Sequence, residues 1–245
     1  MVYICIPAYN EERTVGVVLW KIREVMAEFG RDYEVLVVDD GSTDDTSEVM
    51  APYARIMPLH VKRHERREGY AASLESLIRE AVERAAYPKR DVVVTLQADF
   101  TDEPADVVTL VKRIEGGADV VTGRVRLEAG ATPRGIRWSR RLWHYLLGRA
   151  NGGVEGDVLS GFRAYRVFTV TRALEEAGEA PLLRTQGWAA NAELLSRVLP
   201  YSRRTDAVDV HVRYNRLQRD SRFQPLRASR DLVRLLRTPR PLRSA

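Results

Sequence analysis

The chain predicts an α/β fold, a mostly parallel, Rossmann-like sheet flanked by helices. Three features of its 245 residues carry that expectation. Short, near-continuous apolar runs recur, as strands buried on both faces require. Between them lie stretches with apolar residues at helical spacing. Acidic and glycine-containing clusters punctuate the ends of several runs, marking where strands stop and helices start.

The elements follow in order. Val2–Ile6 reads as a first strand ended by Pro7, and Asn10-Glu11-Glu12 as a helix start. Val15, Val18, Leu19, Ile22, Val25, Met26 and Phe29 then recur at i, i+3, i+4, i+7. Tyr33–Val38 is a second strand, cut off by Asp39-Asp40-Gly41-Ser42, with a capped helix expected from Ser42 or Thr43. Ile56–Val61 is a third strand, and Gly69–Ala86 a helix through Leu74, Leu77, Ile78, Ala81 and Val82. Val92–Leu96 is a fourth, leading into Gln97-Ala98-Asp99-Phe100. Pro104 suits the first turn of a helix carrying Val107, Val108, Val111 and Ile114. Ala118–Thr122 is a fifth strand. Residues 123–160 are rich in Gly, Arg and Trp and read as loops and a helix near the site. Residues 208–214 alternate like a half-exposed strand. No internal repeat is present, so one domain is expected over residues 1–224, followed by a basic tail over 225–245.

Composition narrows the classes. With 44% hydrophobic and 30% charged residues the chain can fill a core, which excludes disordered and collagen-like classes. No apolar stretch approaches the roughly 20 residues of a membrane span. The opening residues lack a basic stretch and an A-x-A site, so no signal peptide is expected. A single cysteine, Cys5, excludes an internal disulfide and a cysteine-based zinc site, which fits a cytoplasmic location. The formal net charge of +5 is uneven: residues 201–245 carry +8 and the first 200 carry −3. Arginine, suited to bidentate phosphate capture, makes up 35 of the 39 basic residues. An arginine-rich composition accounts for most of them.

In an open parallel sheet, ligands bind beyond the C-terminal strand ends. Those ends here carry Pro7-Ala8-Tyr9-Asn10-Glu11, Asp39-Asp40-Gly41-Ser42 and Gln97-Ala98-Asp99. Carboxylates avoid burial without partners, and a divalent cation is an economical partner for three acidic strand ends. Mg2+ is typically held by one or two carboxylates plus substrate phosphate oxygens. No G-x-G-x-x-G or Walker A sequence occurs, which disfavours dinucleotide dehydrogenases and P-loop enzymes.

Ile6-Pro7-Ala8-Tyr9-Asn10-Glu11, Val37-Val38-Asp39-Asp40-Gly41-Ser42-Thr43-Asp44, Gln97-Ala98-Asp99 with Pro104, and Ser160-Gly161-Phe162-Arg163 occur in that order. Together they resemble the family 2 inverting glycosyltransferases of GT-A fold, and most nearly their dolichol- or polyprenyl-phosphate sugar transferases. The resemblance runs from residue 2 to about 222. It implies that Pro7, Ala8, Tyr9 and Glu11 hold the base and ribose of a GDP- or UDP-sugar, and that Asp39 or Asp40 bonds the base. Asp99 then binds Mg2+ or Mn2+ on the diphosphate, with Gln97, Ala98 and Thr101 beside it. Arg216 and Arg222 match phosphate-holding residues; Arg124 and Arg126 lie one position off another family arginine. Asp157, Asp99 and Arg163 are the implied catalytic residues, and Ser160, Trp188 and Glu193 the implied acceptor contacts.

Two positions depart from the family pattern. Gln97 replaces the first acid of D-x-D, and an amide brings no negative charge. Thr101 stands where relatives often have a glutamine that reaches the metal. The departures imply weaker ion binding, with Asp102 or Glu103 compensating.

In the implied reaction, a divalent ion and arginines stabilise charge developing on the β-phosphate as the C1–O bond breaks. A sugar hydroxyl acceptor needs a general base, for which Asp157 is the candidate; a lipid monophosphate needs little base help. Asp157 as a turn acid and Glu193 as a solvated helix acid are the plainer alternatives. In the tail, Arg227, Arg230, Arg234 and Arg237 form one helical stripe beside Leu226, Val233 and Leu236. That pattern fits peripheral contact with the inner membrane face, where a polyprenyl-phosphate acceptor would reside. A helix packing its leucines on the domain fits equally. Three further classes compete: a non-catalytic nucleotide-sugar-binding protein, a nucleotidyltransferase, and a nucleic-acid binder, the last lacking any recognition motif and not expected. A soluble acceptor is the alternative within the enzyme reading.

Overall fold

The computed structural model describes residues 1–127, 145, 146, 148, 154–212 and 232. Seven strands form one sheet: β1 (Val2–Ala8), β2 (Tyr33–Asp39), β3 (Leu59–Arg63), β4 (Val92–Thr95), β5 (Val120–Leu127), β6 (Arg163–Arg166) and β7 (Thr205–Val212). Their order is β3-β2-β1-β4-β6-β5-β7. β6 runs antiparallel to β4 and β5, and every other pairing is parallel. The helices are α1 (Val15–Phe29), α2 (Thr46–Met50), α3 (Tyr70–Arg84), α4 (Asp106–Glu115), α5 (Val167–Ala177) and α6 (Trp188–Val198).

The expected α/β architecture is therefore present, and its cause is visible strand by strand. Successive residues point to opposite faces. Tyr3, Cys5, Leu36, Val38 and Val93 join a core with α3, α5 and α6. Val2, Ile4, Ile6, Val35, Val37, Val92 and Val94 join a second core with α1 and α4. Both faces of the central strands are thus dry, which is why those strands read as continuous apolar runs rather than alternating ones.

Some boundaries differ from the sequence reading. β1 continues through Pro7 to Ala8. The Cys5 carbonyl accepts Leu96 N–H on the β4 side. Pro7, two residues on, faces that same side after β4 has stopped pairing, so its missing N–H leaves no gap in the ladder. The third strand starts at Leu59, because Tyr53–Arg55 forms a 3-10 turn and Ile56 stays exposed.

β6 and α5 were not foreseen. Arg163 and Arg166 at the strand's ends read as polar, yet Arg163 is fully buried. Arg166 binds Asp119 and the carbonyls of Lys89, Ile114 and Ala118. The expected tail, 225–245, lies outside the described residues except for Leu232, which is buried in the core with α3, α5 and α6. Among the described residues no helix is long and apolar enough to cross a membrane.

Candidate active site

The strand order puts the C-terminal ends of β2, β1 and β4 side by side, and the loops that leave them are laced together. Asn10 N–H donates to Ser42 Oγ (2.9 Å) and Thr43 N–H to Asn10 Oδ1 (2.9 Å). Glu11 N–H donates to Thr46 Oγ1 (2.8 Å), and Glu12 N–H to Asp44 Oδ2 (3.2 Å). These loops and the one after β4 enclose a hollow of about 190 Å3 lined by Asn10, Glu11, Glu12, Arg13, Thr14, Asp44 and Asp99. The two non-glycine residues with positive φ among the described residues, Asn10 (50°) and Phe100 (57°), both sit in these loops. Such conformations cost energy and concentrate where a site over-determines the backbone.

The two acids ending β2 are both buried and fastened. Asp39 accepts Ser42 N–H (2.9 Å) and the Ser47 hydroxyl, with Arg63 Nε at 3.7 Å. Burial alone would raise its pKa; the bonds from Ser42 and Ser47 and the Arg63 charge outweigh that and hold it below the ordinary carboxylate value. Asp40 organises the loop before α3: Oδ1 meets His64 Nδ1 (2.9 Å) and Glu68 N–H (2.8 Å), and Oδ2 accepts Gly69 N–H (2.9 Å). Gly41 makes room for this loop. At φ +68° it lies so close to Arg66 that a Cβ would stand 2.8 Å from the Arg66 carbonyl carbon. The loop in turn lays the Arg67 guanidinium 4.2 Å over the Tyr9 ring, a cation–π contact.

After β4, Thr101 donates both its N–H (3.0 Å) and its hydroxyl (2.5 Å) to Asp99 Oδ1. Thr101 therefore orients the acid. Gln97 N–H donates to Asp102 Oδ2 (3.1 Å), and Gln97 Nε2 to Tyr70 Oη (3.3 Å). Among the described residues no group of three or more His, Cys, Asp or Glu is placed to hold an ion by itself. Four acids line the hollow, Glu11, Glu12, Asp44 and Asp99, but no three of them are grouped to cage an ion, which suits one shared with substrate phosphates.

Asp157 and Ser160 lie on the loop 154–162, which crosses from β5 to β4, while Trp188 and Glu193 lie on α6. Asp157 N–H donates to Gly123 O (2.8 Å), and the Thr95 hydroxyl donates to Gly161 O. Asp157 Oδ1 accepts Leu159 N–H (2.8 Å), a turn role; Ser160 Oγ likewise accepts Phe162 N–H (3.2 Å). Arg163, expected among the reacting groups, is sealed inside. It donates to Asn191 O (2.5 Å) and Asp157 O (3.0 Å), and Nε has no partner among the described residues. Those two bonds tie α6 to the loop 154–162.

Glu193 is buried, not solvated. Its Oε2 accepts Arg184 N–H, Thr185 N–H and the Thr185 hydroxyl at 2.8–2.9 Å, pinning the turn before α6. Arg124 is exposed on β5 and paired with Glu155 (3.0 Å) and Asp209 (3.9 Å). Arg126 is described only as a backbone partner of His211, and Trp188 only as the start of α6. Arg216 and Arg222 lie outside the described residues.

Pro7, Ala8, Tyr9, Glu11, Asp39, Asp40, Gln97, Ala98 and Asp99 thus share the rim of three adjacent strands. His64, Arg67, Tyr70 and Asn191 were missed. Each meets its partner only through the fold, and no local spacing signals it.

Comparison with known proteins agrees with this layout. Residues 3–172 match Glycosyl transferase family 2. The chain is 32% identical over 172 residues to an undecaprenyl-phosphate 4-deoxy-4-formamido-L-arabinose transferase of Pseudomonas aeruginosa, covering 68% of this chain and 47% of that protein. It spans about half the length of the curated relatives it matches. Glucosyl-3-phosphoglycerate synthase of Mycobacterium tuberculosis with phosphoglyceric acid superposes with a TM-score of 0.66 at 22% identity, over 96% of this chain and 78% of that one. The same enzyme with Mn2+, uridine diphosphate and glucosyl-3-phosphoglycerate gives 0.65, at the same identity and coverage. With its GT-A sheet and a family match over most of its length, the chain belongs to glycosyl transferase family 2.

Proposed function

We propose that the chain transfers a sugar from a GDP- or UDP-sugar to a phosphate-bearing acceptor, with polyprenyl phosphate as the acceptor class. One observation carries the reading: loops from three adjacent strand ends close on a single hollow with Asp99 on its wall. A divalent ion bound there, Mg2+ or Mn2+, would stabilise negative charge on the leaving diphosphate. Asp99 is the residue to hold it, kept in orientation by Thr101. Glu11, on the same wall, and Tyr9, under Arg67, are suited to the ribose and base. In this reading Asp39 and Asp40 shape the base pocket by fastening the loops around it. Asp157 borders the acceptor side, where the loop 154–162 meets β5.

The relative named for undecaprenyl phosphate supports the lipid acceptor. A soluble phosphorylated acceptor is the second reading, favoured by the synthase whose structure holds phosphoglyceric acid. The arginine stripe of the tail would place the enzyme at a membrane surface under the first reading alone.

A panel of nucleoside diphosphates and their sugars, each with and without Mg2+ or Mn2+, tests the donor by thermal shift. Incubating the selected donor with undecaprenyl phosphate in detergent, or with phosphoglyceric acid, tests the acceptor. Release of a nucleoside diphosphate and an inverted glycosidic product is expected. Binding without turnover on any acceptor would favour a non-catalytic role, and release of pyrophosphate a nucleotidyltransferase.

A further inference from the structure

Gln97 occupies the first position of the motif whose last residue is Asp99, and its amide nitrogen is committed to a partner away from the hollow. Gln97 Nε2 donates to Tyr70 Oη (3.3 Å), Tyr70 donates to Asn191 Oδ1 (2.8 Å), and Asn191 Nδ2 donates to Leu159 O (3.2 Å). The last bond fixes the sense of the others. A backbone carbonyl only accepts, so the nitrogen of the Asn191 amide must face it and the oxygen must face Tyr70. Tyr70 then spends its one proton on Asn191, and its lone pairs accept from the Gln97 amide nitrogen. Burial, with Asp102 nearby, pushes the Tyr70 hydroxyl well above its ordinary pKa, so that proton stays in place at any working pH.

The three polar ends converge on Gly161. A Cβ there would stand 3.0 Å from Gln97 Nε2, 3.0 Å from Tyr70 Oη and 3.1 Å from Asn191 Nδ2. Arg163 holds the far side of the chain, donating to Asn191 O and Asp157 O. The path thus runs from the loop bearing Asp99, through the first residue of α3 and through α6, to the loop bearing Asp157.

We propose that Gln97 is a positioning residue, the donor end of a hydrogen-bond strut that ties the Asp99 loop to the acceptor-side loop 157–161, and that it is not a ligand of the ion. The strut stands on the bonds above; the clause about the ion rests on the proposed nucleoside-diphosphate site. A glutamate at 97 has the same shape but no donor. It would leave the Tyr70 oxygen facing two acceptors with one proton to give. As a metal ligand it would do the opposite and add charge to the site.

The full chain serves for the test, with Gln97→Ala, Gln97→Glu, Tyr70→Phe, Asp99→Asn and the Gln97→Ala/Tyr70→Phe pair. Urea midpoints should fall for both Gln97 variants, and the double variant should lose no more than the larger single loss. Amide exchange should quicken in residues 157–162 as well as 97–102. Mn2+ affinity, measured by calorimetry with UDP and with GDP, should change by less than about threefold in either Gln97 variant and fall about tenfold or more in Asp99→Asn.

Tenfold tighter Mn2+ binding in Gln97→Glu, or a loss in Gln97→Ala matching Asp99→Asn, would overturn the proposal. Additive stability losses, or faster exchange confined to 97–102, would do so as well. A wild type that holds Mn2+ with neither nucleotide would sink the donor-site reading, while the stability cycle and exchange still decide the strut.

Discussion

Asp40→Asn isolates what the second acid of β2 does. In the wild type Oδ1 takes bonds from His64 and Glu68 N–H and Oδ2 from Gly69 N–H, all within 2.9 Å, and the residue is 4% exposed. An asparagine is isosteric, but one of its ends must be an NH2. If its oxygen keeps the His64 and Glu68 contacts, the new NH2 faces the Gly69 N–H donor to donor. If the amide is reversed, His64 can accept from the NH2 in its other tautomer, but the Glu68 N–H then faces the NH2 donor to donor. Either way one charge-assisted bond is lost and a partly buried N–H is left unsatisfied, costing about 2–4 kcal/mol. For a domain of this size that lowers Tm by roughly 5–12 °C. Calorimetry at neutral pH, with urea unfolding as a second probe, measures it. Because Glu68 and Gly69 neighbour Arg67, the same variant should also weaken nucleotide binding. A stability change below about 0.5 kcal/mol, the range of an inert surface substitution, would refute the role assigned to Asp40.

Other outcomes follow from the same geometry. Asp99→Asn keeps an oxygen for Thr101, so its Tm should stay within a few degrees while metal-dependent nucleotide binding drops about tenfold or more; calorimetric titration separates the two. The Glu193 bonds from Arg184 and Thr185 all fall on one oxygen, so Glu193→Gln should cost under about 1 kcal/mol and Glu193→Ala about 2–4 kcal/mol in urea unfolding. Asp39 has a folded pKa below its ordinary 3.8. Its ionised form therefore stabilises the fold above that pH, and the contribution disappears as pH falls through the ordinary value toward the folded one. The gap in urea midpoint between wild type and Asp39→Asn should accordingly shrink below about pH 4; a constant gap would contradict the assignment.

The sheet was legible because its signal is local. Val35–Val38 and Val92–Val94 are buried on both faces, so their hydrophobicity alone marks them. The rim was legible for the same reason, since Tyr9, Asp39 and Gln97–Asp99 each terminate such a run. What escaped was set by partners distant in sequence. Arg163 reads as a rim cation, but carbonyls of Asp157 and Asn191 draw it into the core, and β6 with it. Glu193 reads as a surface acid until the turn at Arg184 and Thr185 folds over it. Arg67 has no sequence cue toward Tyr9; Asp40 and the room left at Gly41 bring it there.

The most direct measurement is an anomalous-difference map from crystals grown with Mn2+ and the nucleoside diphosphate that the thermal-shift panel selects. A single Mn2+ peak is predicted beside the Asp99 carboxylate, bridged to the diphosphate, with the base near Tyr9 and no contact from Gln97. A nucleotide bound away from the hollow lined by Asn10–Thr14, Asp44 and Asp99, or a manganese peak remote from Asp99, would contradict the account.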